Sequence, residues 1–296
     1  MNIPGGFNFK DLNGKTLVVT GVTRGIGKAL LPFFFDQGMR VVAVGRGKER
    51  LEAVRKEFGL SEEQCLIVDC DLGEVEAVQK AGAEILASGW QIDGILNNAA
   101  IDPRTHFEQG DQMFWENIFQ VNLFSAIALT RLLLPRIKES SQGRVLFTGS
   151  VLFELGGGCL TGYVSTKGAL EGLTKSLAHE LQHTGVTVNC VVPGAISVEK
   201  ETGTTEGHQR LIQWQTVPRR LVPSDLAGII CLLLSGAGGG MTAQSITVDG
   251  GIVHPLASGE VQGKRLNPPW PLTSKTDAPV DSLETENKEE SDLKNI

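Results

Sequence analysis

The chain has 296 residues, 41% hydrophobic and 21% charged, enough to bury the core of one α/β domain and too apolar for a disordered or fibrous polymer. A net charge of −7 offers no attraction to nucleic-acid phosphates or anionic lipid, so neither a nucleic acid nor a membrane is an expected partner. The five cysteines, Cys65, Cys70, Cys159, Cys190 and Cys231, contain no C-x-x-C pair, which argues against a disulfide framework or zinc knuckle and for reduced thiols in the cytoplasm.

In chain order, a β-rich run at residues 16–20 enters a glycine-containing turn and then a helical pattern over 25–37, closed by Gly38. A strand at 41–44, a charged helix at 48–58 and a strand at 66–68 complete β-α-β-α-β at the spacing of parallel strands. Helix 74–87, strand 94–96, a long helix at 112–138 and strand 144–147 continue the alternation. Helix 163–183, strand 186–192, helix 225–234 and strand 245–248 finish it. Such regularity predicts an α/β fold, a doubly wound, parallel, seven-stranded sheet of Rossmann type in a single domain over residues 1–255. The long connection at 194–223, with a short helix near 209–215, is where such a sheet places substrate contacts. Residues 256–296 turn proline-containing and acidic with few apolar anchors, and are expected to be a disordered tail. No signal-peptide core begins the sequence, and the longest unbroken apolar run, 229–234, is too short to cross a bilayer.

The turn Thr20-Gly21-Val22-Thr23-Arg24-Gly25-Ile26-Gly27 lies between a strand and a helix. Its glycines permit a tight bend and let a pyrophosphate approach backbone N–H groups at the helix N-terminus. A carboxylate at the end of the second strand would bind the ribose hydroxyl of NAD(H); here the residues are Gly45-Arg46. With Arg24 in the first turn, two guanidiniums are placed to clamp a 2′-phosphate, which favours NADP(H) while leaving NAD(H) open. Tyr163 is the chain's one tyrosine, and Lys167 follows it by four residues, so both project from one helical face just after Ser150 ends a strand. A phenol with a free pKa of about 10 needs roughly 4 kcal/mol of phenolate stabilisation to work near pH 7, and one ammonium at about 4 Å is of that magnitude.

These residues resemble the short-chain dehydrogenase/reductase family, in its subtype with T-G-x3-G-x-G and Y-x3-K. Ordered matches run from Thr20–Gly27 through Asp71-Leu72, Asn97-Asn98-Ala99-Ala100, Val121-Asn122, Gly149-Ser150, Tyr163–Lys167 and Pro193-Gly194 to Val248-Asp249-Gly250-Gly251. The resemblance implies a catalytic set of Ser150, Tyr163 and Lys167, with Asn122 supporting a water-linked proton relay. It also implies cofactor contacts at Gly21, Thr23, Arg24, Gly25, Ile26, Gly27, Arg46, Asp71, Leu72, Asn98 and Ala99, at Tyr163 and Lys167, and near the nicotinamide at Pro193, Gly194 and Ile196. The small-molecule partner is a carbonyl or alcohol, and related proteins suggest a homotetramer paired through the helices at 112–138 and 163–183. Two departures are Ala100 for the last glycine of N-N-A-G and Val198 where the family often has threonine after Pro-Gly.

A rival signal is His179-Glu180-Leu181-Gln182-His183, which spells the helical zinc motif H-E-x-x-H. No third ligand of the expected kind follows it, and no metal is expected. The reading is therefore an NADP(H)-preferring oxidoreductase interconverting a carbonyl and a secondary alcohol. An NAD-dependent sugar or polyol dehydrogenase and a non-catalytic nucleotide-binding protein of the same fold are the alternatives.

Overall fold

A computed structural model describes residues 8–198, 209, 212–253, 260–261 and 264–265. Its centre is a sheet of strands β1 (Thr16–Thr20), β2 (Arg40–Gly45), β3 (Cys65–Asp69), β4 (Gly94–Asn97), β5 (Arg144–Thr148), β6 (Thr187–Pro193) and β7 (Gln244–Val248). All neighbours pair in parallel, in the order β3-β2-β1-β4-β5-β6-β7. The doubly wound sheet is thus as expected, and its inner strands are apolar on both faces because helices cover both. Leu17 and Val19 face α1 (Gly25–Asp36), α2 (Lys48–Glu57) and α8 (Pro223–Leu234), while Val18 faces the layer of α3 (Val75–Ala87), α5 (Ser125–Glu139) and α7 (Thr161–Glu180). Each such side chain taken from water contributes about 1.5–3 kcal/mol.

From β1 the chain winds outward through β2 and β3, then returns to the other side of β1 as β4. The reversal leaves a crevice outside the carboxyl ends of β1 and β4, the place where such sheets bind ligands.

The structure redraws several expected elements. The helix expected over 112–138 is α4 (Gln112–Phe119), a π-turn at Gln120–Phe124 and α5, because the π-turn admits an extra residue into the spiral. The Asp111 side chain caps α4 by accepting from Phe114 N–H at 2.8 Å. Gln112–Glu139 is long and apolar enough to cross a membrane on composition alone. Its Leu129, Leu133 and Ile137 are buried in the core beneath the sheet, as in a core helix. A short helix, α6 (Leu152–Leu155), follows β5 where none was expected. The helix expected to run to residue 183 ends at Glu180, and His183 beyond it has φ +65°. The two histidines of H-E-x-x-H therefore do not share a helix face. Within 209–215, residues 209 and 212–214 are helical. In the expected tail, β8 (Glu260–Val261) and β9 (Lys264–Arg265) pair antiparallel, so this part is not structureless. The rest of that tail, like 199–208 of the substrate connection, lies outside the described residues.

Candidate active site

A cleft of about 470 Å³ opens at the switch point and runs from Gly21 and Arg24, past Asp71 and Asn98, to Tyr163, Lys167 and Pro193. Its floor begins at the glycine turn. Gly21 (φ +77°) and Gly25 (φ +62°) occupy backbone conformations that side chains disfavour. A Cβ on Gly21 would come within 2.8 Å of Ala99 Cα, and one on Gly27 would overlap the Gly21 carbonyl. Only glycine keeps this cradle open above the positive end of α1, whose first turn carries no acid, and the cradle fits a dinucleotide pyrophosphate. Thr20 ties the two lips together: its hydroxyl accepts from Asn98 and Ala99 N–H at 3.0 Å each, and Asn98 Nδ2 donates to Thr20 O at 3.0 Å.

At the far corner from Tyr163 stand Arg24, Arg46 and Arg50. Arg50 was not anticipated; its signal was an arginine in the first turn of α2, four residues after Arg46. Arg46 is exposed and donates to Asp71 Oδ2 at 3.1 Å. The other Asp71 oxygen accepts from Gly73 N–H at 3.0 Å, and these bonds, the backbone one foremost, hold its carboxyl below the usual range.

The reactive end is built on β5 and α7. The 20-residue helix α7 puts Tyr163 and Lys167 one turn apart, facing the cleft. Lys167 is buried, donates to Thr148 O at 2.7 Å and sits 5.5 Å from the centre of the Tyr163 ring. The Ser150 hydroxyl lies close enough to the phenol to favour its ionised form, and Ser150 Oγ accepts from Leu152 N–H at 3.2 Å. Burial pushes the phenol pKa up, against the expected depression, and only the nearby Ser150 hydroxyl opposes it. Burial also pushes the Lys167 ammonium down to about 8. The expectation fails because the ammonium is itself desolvated, bonded to a strand carbonyl and placed over the ring rather than at the hydroxyl.

Asn122 sits fully buried in the π-turn. Its Oδ1 accepts from Ile101 N–H at 2.8 Å, and its Nδ2 donates to Ile101 O at 2.8 Å and to Thr166 Oγ1 at 3.1 Å. Thr166 Oγ1 in turn donates to the Tyr163 carbonyl at 2.7 Å. The amide thus clamps the loop after β4 to the turn of α7 that carries the phenol. At the end of β6, a Cβ on Gly194 would come within 2.7 Å of Asp249 Cα, so the Pro193-Gly194 turn rests on the turn after β7. Asp249 locks that second turn by accepting from Gly251 and Val253 N–H at 2.8 Å each.

The profile of the family described as short chain dehydrogenase matches residues 15–209. The chain belongs to the short-chain dehydrogenase/reductase family. Members of this family are NAD(P)-dependent oxidoreductases acting on alcohol and carbonyl groups, and this chain is such an enzyme. It is 32% identical over 248 residues to the "Probable galactose dehydrogenase GalD" of Rhizobium meliloti, covering 82% of this chain and 97% of that protein. It is 27% identical over 243 residues to the 3-oxoacyl-[acyl-carrier-protein] reductase FabG of Escherichia coli, covering 82% and 98%. Among solved structures, a blue fluorescent protein from a metagenomic library in complex with NADPH superposes with a TM-score of 0.74 at 26% identity, covering 82% of this chain and 99% of that one.

For a short-chain dehydrogenase/reductase the expected residues divide cleanly by position. Gly21, Thr23, Arg24, Gly25, Ile26, Arg46, Asp71, Leu72, Asn98, Ala99, Tyr163, Lys167 and Pro193 line the cleft. Gly27, Gly194 and Asn122 shape or brace it, Ser150 stands at its reactive end between the lining residue Gly149 and the Tyr163 phenol, and Ile196 packs into the core toward α1 and α8 and bridges Leu221.

Proposed function

We propose that this chain is an NADP(H)-preferring oxidoreductase that interconverts a carbonyl and a secondary alcohol, with Tyr163 as acid and base. The observation that carries the reading is the meeting of the one tyrosine, its Ser150 partner and the buried Lys167 on a cleft that runs back to the glycine cradle. In reduction the Tyr163 hydroxyl gives its proton to the substrate oxygen as that oxygen gains negative charge, while Ser150 donates a hydrogen bond to it. In oxidation Tyr163 takes the alcohol proton. The nicotinamide cofactor, when bound, supplies or receives the hydride. With a pKa of about 8, Lys167 is mostly ammonium at neutral pH and places positive potential beneath the phenol as it loses its proton. Asn122 holds the loop and helix in register for this transfer.

Three guanidiniums at the ribose corner and Gly45-Arg46 in place of an acid at the end of β2 support the NADP(H) preference. The Arg46–Asp71 bond, together with the likeness to a galactose dehydrogenase, favours a second reading, an NAD-dependent sugar or polyol dehydrogenase. Fluorescence titration with NADPH and NADH separates them. NADPH is expected to bind about 10- to 100-fold tighter, the size of one or two charge-assisted bonds, with Arg46→Ala removing most of the difference. Equal affinities in wild type and variant sink the preference. A screen of ketones and alcohols, with turnover lost in Tyr163→Phe, tests the chemistry. Five unpaired thiols, four of them buried, support a reducing cytoplasm as its setting.

A further inference from the structure

The cleft holds a carboxylate that none of the roles above employs. Asp102 lines it beside Tyr163, Lys167 and Gly149, in the segment that follows β4. The backbone that launches it is fixed on both sides. Asn122 clamps the N–H and C=O of Ile101 at 2.8 Å each, and three residues past Asp102 the Thr105 N–H donates to Cys159 O at 2.9 Å. Three other acids near the carboxyl ends of the strands are occupied: Asp71 holds Arg46 and Gly73, Asp69 accepts from Gly47 N–H, and Asp249 fastens the turn after β7. Asp102 has no hydrogen bond or ion pair with any described residue, and its negative field reaches both the phenol and the ammonium.

A pre-placed carboxylate beside the reacting oxygen is an acceptor with no donor of its own. Hydroxyls on the carbons next to the reacting carbon supply such donors. A ketone without them strips water from the carboxylate and returns nothing, and an anionic substrate is repelled. We infer that Asp102 is a specificity-determining residue that selects substrates carrying hydroxyls beside the reacting carbon, the class of aldoses and polyols. The inference rests on the oxidoreductase reading above, and deepens it.

The test measures kcat/KM for a panel of aldoses and polyols and for cyclohexanol, with NADP+ and NAD+, in wild type, Asp102→Ala and Asp102→Asn, with NADPH affinity followed separately by fluorescence. Wild type is expected to favour a hydroxylated substrate. The ratio of its kcat/KM to that for cyclohexanol is expected to fall about 10- to 100-fold in Asp102→Ala, and less in Asp102→Asn, which keeps an acceptor without the charge. A structural role would lower both substrates together and leave the ratio still, which overturns the inference. Wild type that oxidises cyclohexanol and none of the sugars also overturns it while the oxidoreductase reading stands. Wild type that binds NADPH yet turns over nothing overturns that reading and the inference with it.

Discussion

Lys167 shows what the site costs the fold. Its ammonium is buried with one carbonyl partner, and its pKa falls from 10.5 to about 8. Below pH 8 both the folded and the unfolded chain carry the proton, so the whole desolvation cost is present. Between about 8 and 10.5 the unfolded chain keeps the proton while the folded one gives it up, so the Lys167 contribution to stability rises with pH across that window. At 1.36 kcal/mol per unit the cost is about 3 kcal/mol, of which about 1 kcal/mol returns if the Thr148 carbonyl loses its donor. Lys167→Met is therefore expected to be about 2 kcal/mol more stable than wild type at pH 7, to lose that rise with pH, and to lose turnover. Urea unfolding at pH 7 and pH 10 reads both effects, and a variant less stable at pH 7 contradicts the argument. The spacing of Tyr163 and Lys167 was legible because four residues make one helical turn. The direction of the Tyr163 shift was not, because desolvation depends on what packs around α7 and on where Lys167 finds its carbonyl.

The π-turn at Gln120–Phe124 is the element that converts sequence into site geometry. Its residues read as ordinary apolar helix, since an extra residue in the spiral leaves hardly any trace in composition and appears only in the hydrogen-bond pattern. The one clue was Asn122, an amide flanked by Val121 and Leu123 where packing alone would prefer leucine. Thr166 completes what that amide begins, accepting from Asn122 Nδ2 at 3.1 Å and donating to the Tyr163 carbonyl at 2.7 Å. A fully buried hydroxyl in this place does both, and a valine of the same shape does neither. Thr166→Val leaves an Asn122 donor unpaired and is expected to cost about 1–3 kcal/mol of stability. It is also expected to lower kcat more than it raises KM, because the phenol loses its register rather than the substrate its contacts. Thr166→Ser keeps the hydroxyl and is expected to restore kcat. A serine variant as slow as the valine one would remove Thr166 from the positioning of Tyr163.

At the scale of the molecule the sheet was legible for a simple reason: strands buried on both faces must carry unbroken apolar runs, and β1, β2 and β6 do, in Leu17-Val18-Val19, Val41-Val42-Ala43-Val44 and Cys190-Val191-Val192. What covers the outside of the helices leaves a weaker record, because an apolar residue on a helix can face either the core or a second subunit. The structure separates the two on α4, the π-turn and α5. Leu129, Leu133 and Ile137 turn inward, whereas Met113, 76% exposed, and Phe124, 50% exposed, turn outward with Ile127. Phe124 continues a ladder of rings, with Phe119 centred 6.2 Å from it and Trp115 6.3 Å farther on, which stiffens this face. Such a patch, on the helices expected to pair between subunits, is what a homotetramer would cover. Light scattering is expected to give about four times the 31.7 kDa chain mass for the wild type. Phe124→Glu, which sets a charge on a ring face that the monomer already leaves open to water, is expected to yield smaller species with the fold intact by circular dichroism. A wild-type mass equal to one chain rejects the assembly. A variant that remains tetrameric moves the interface off this face.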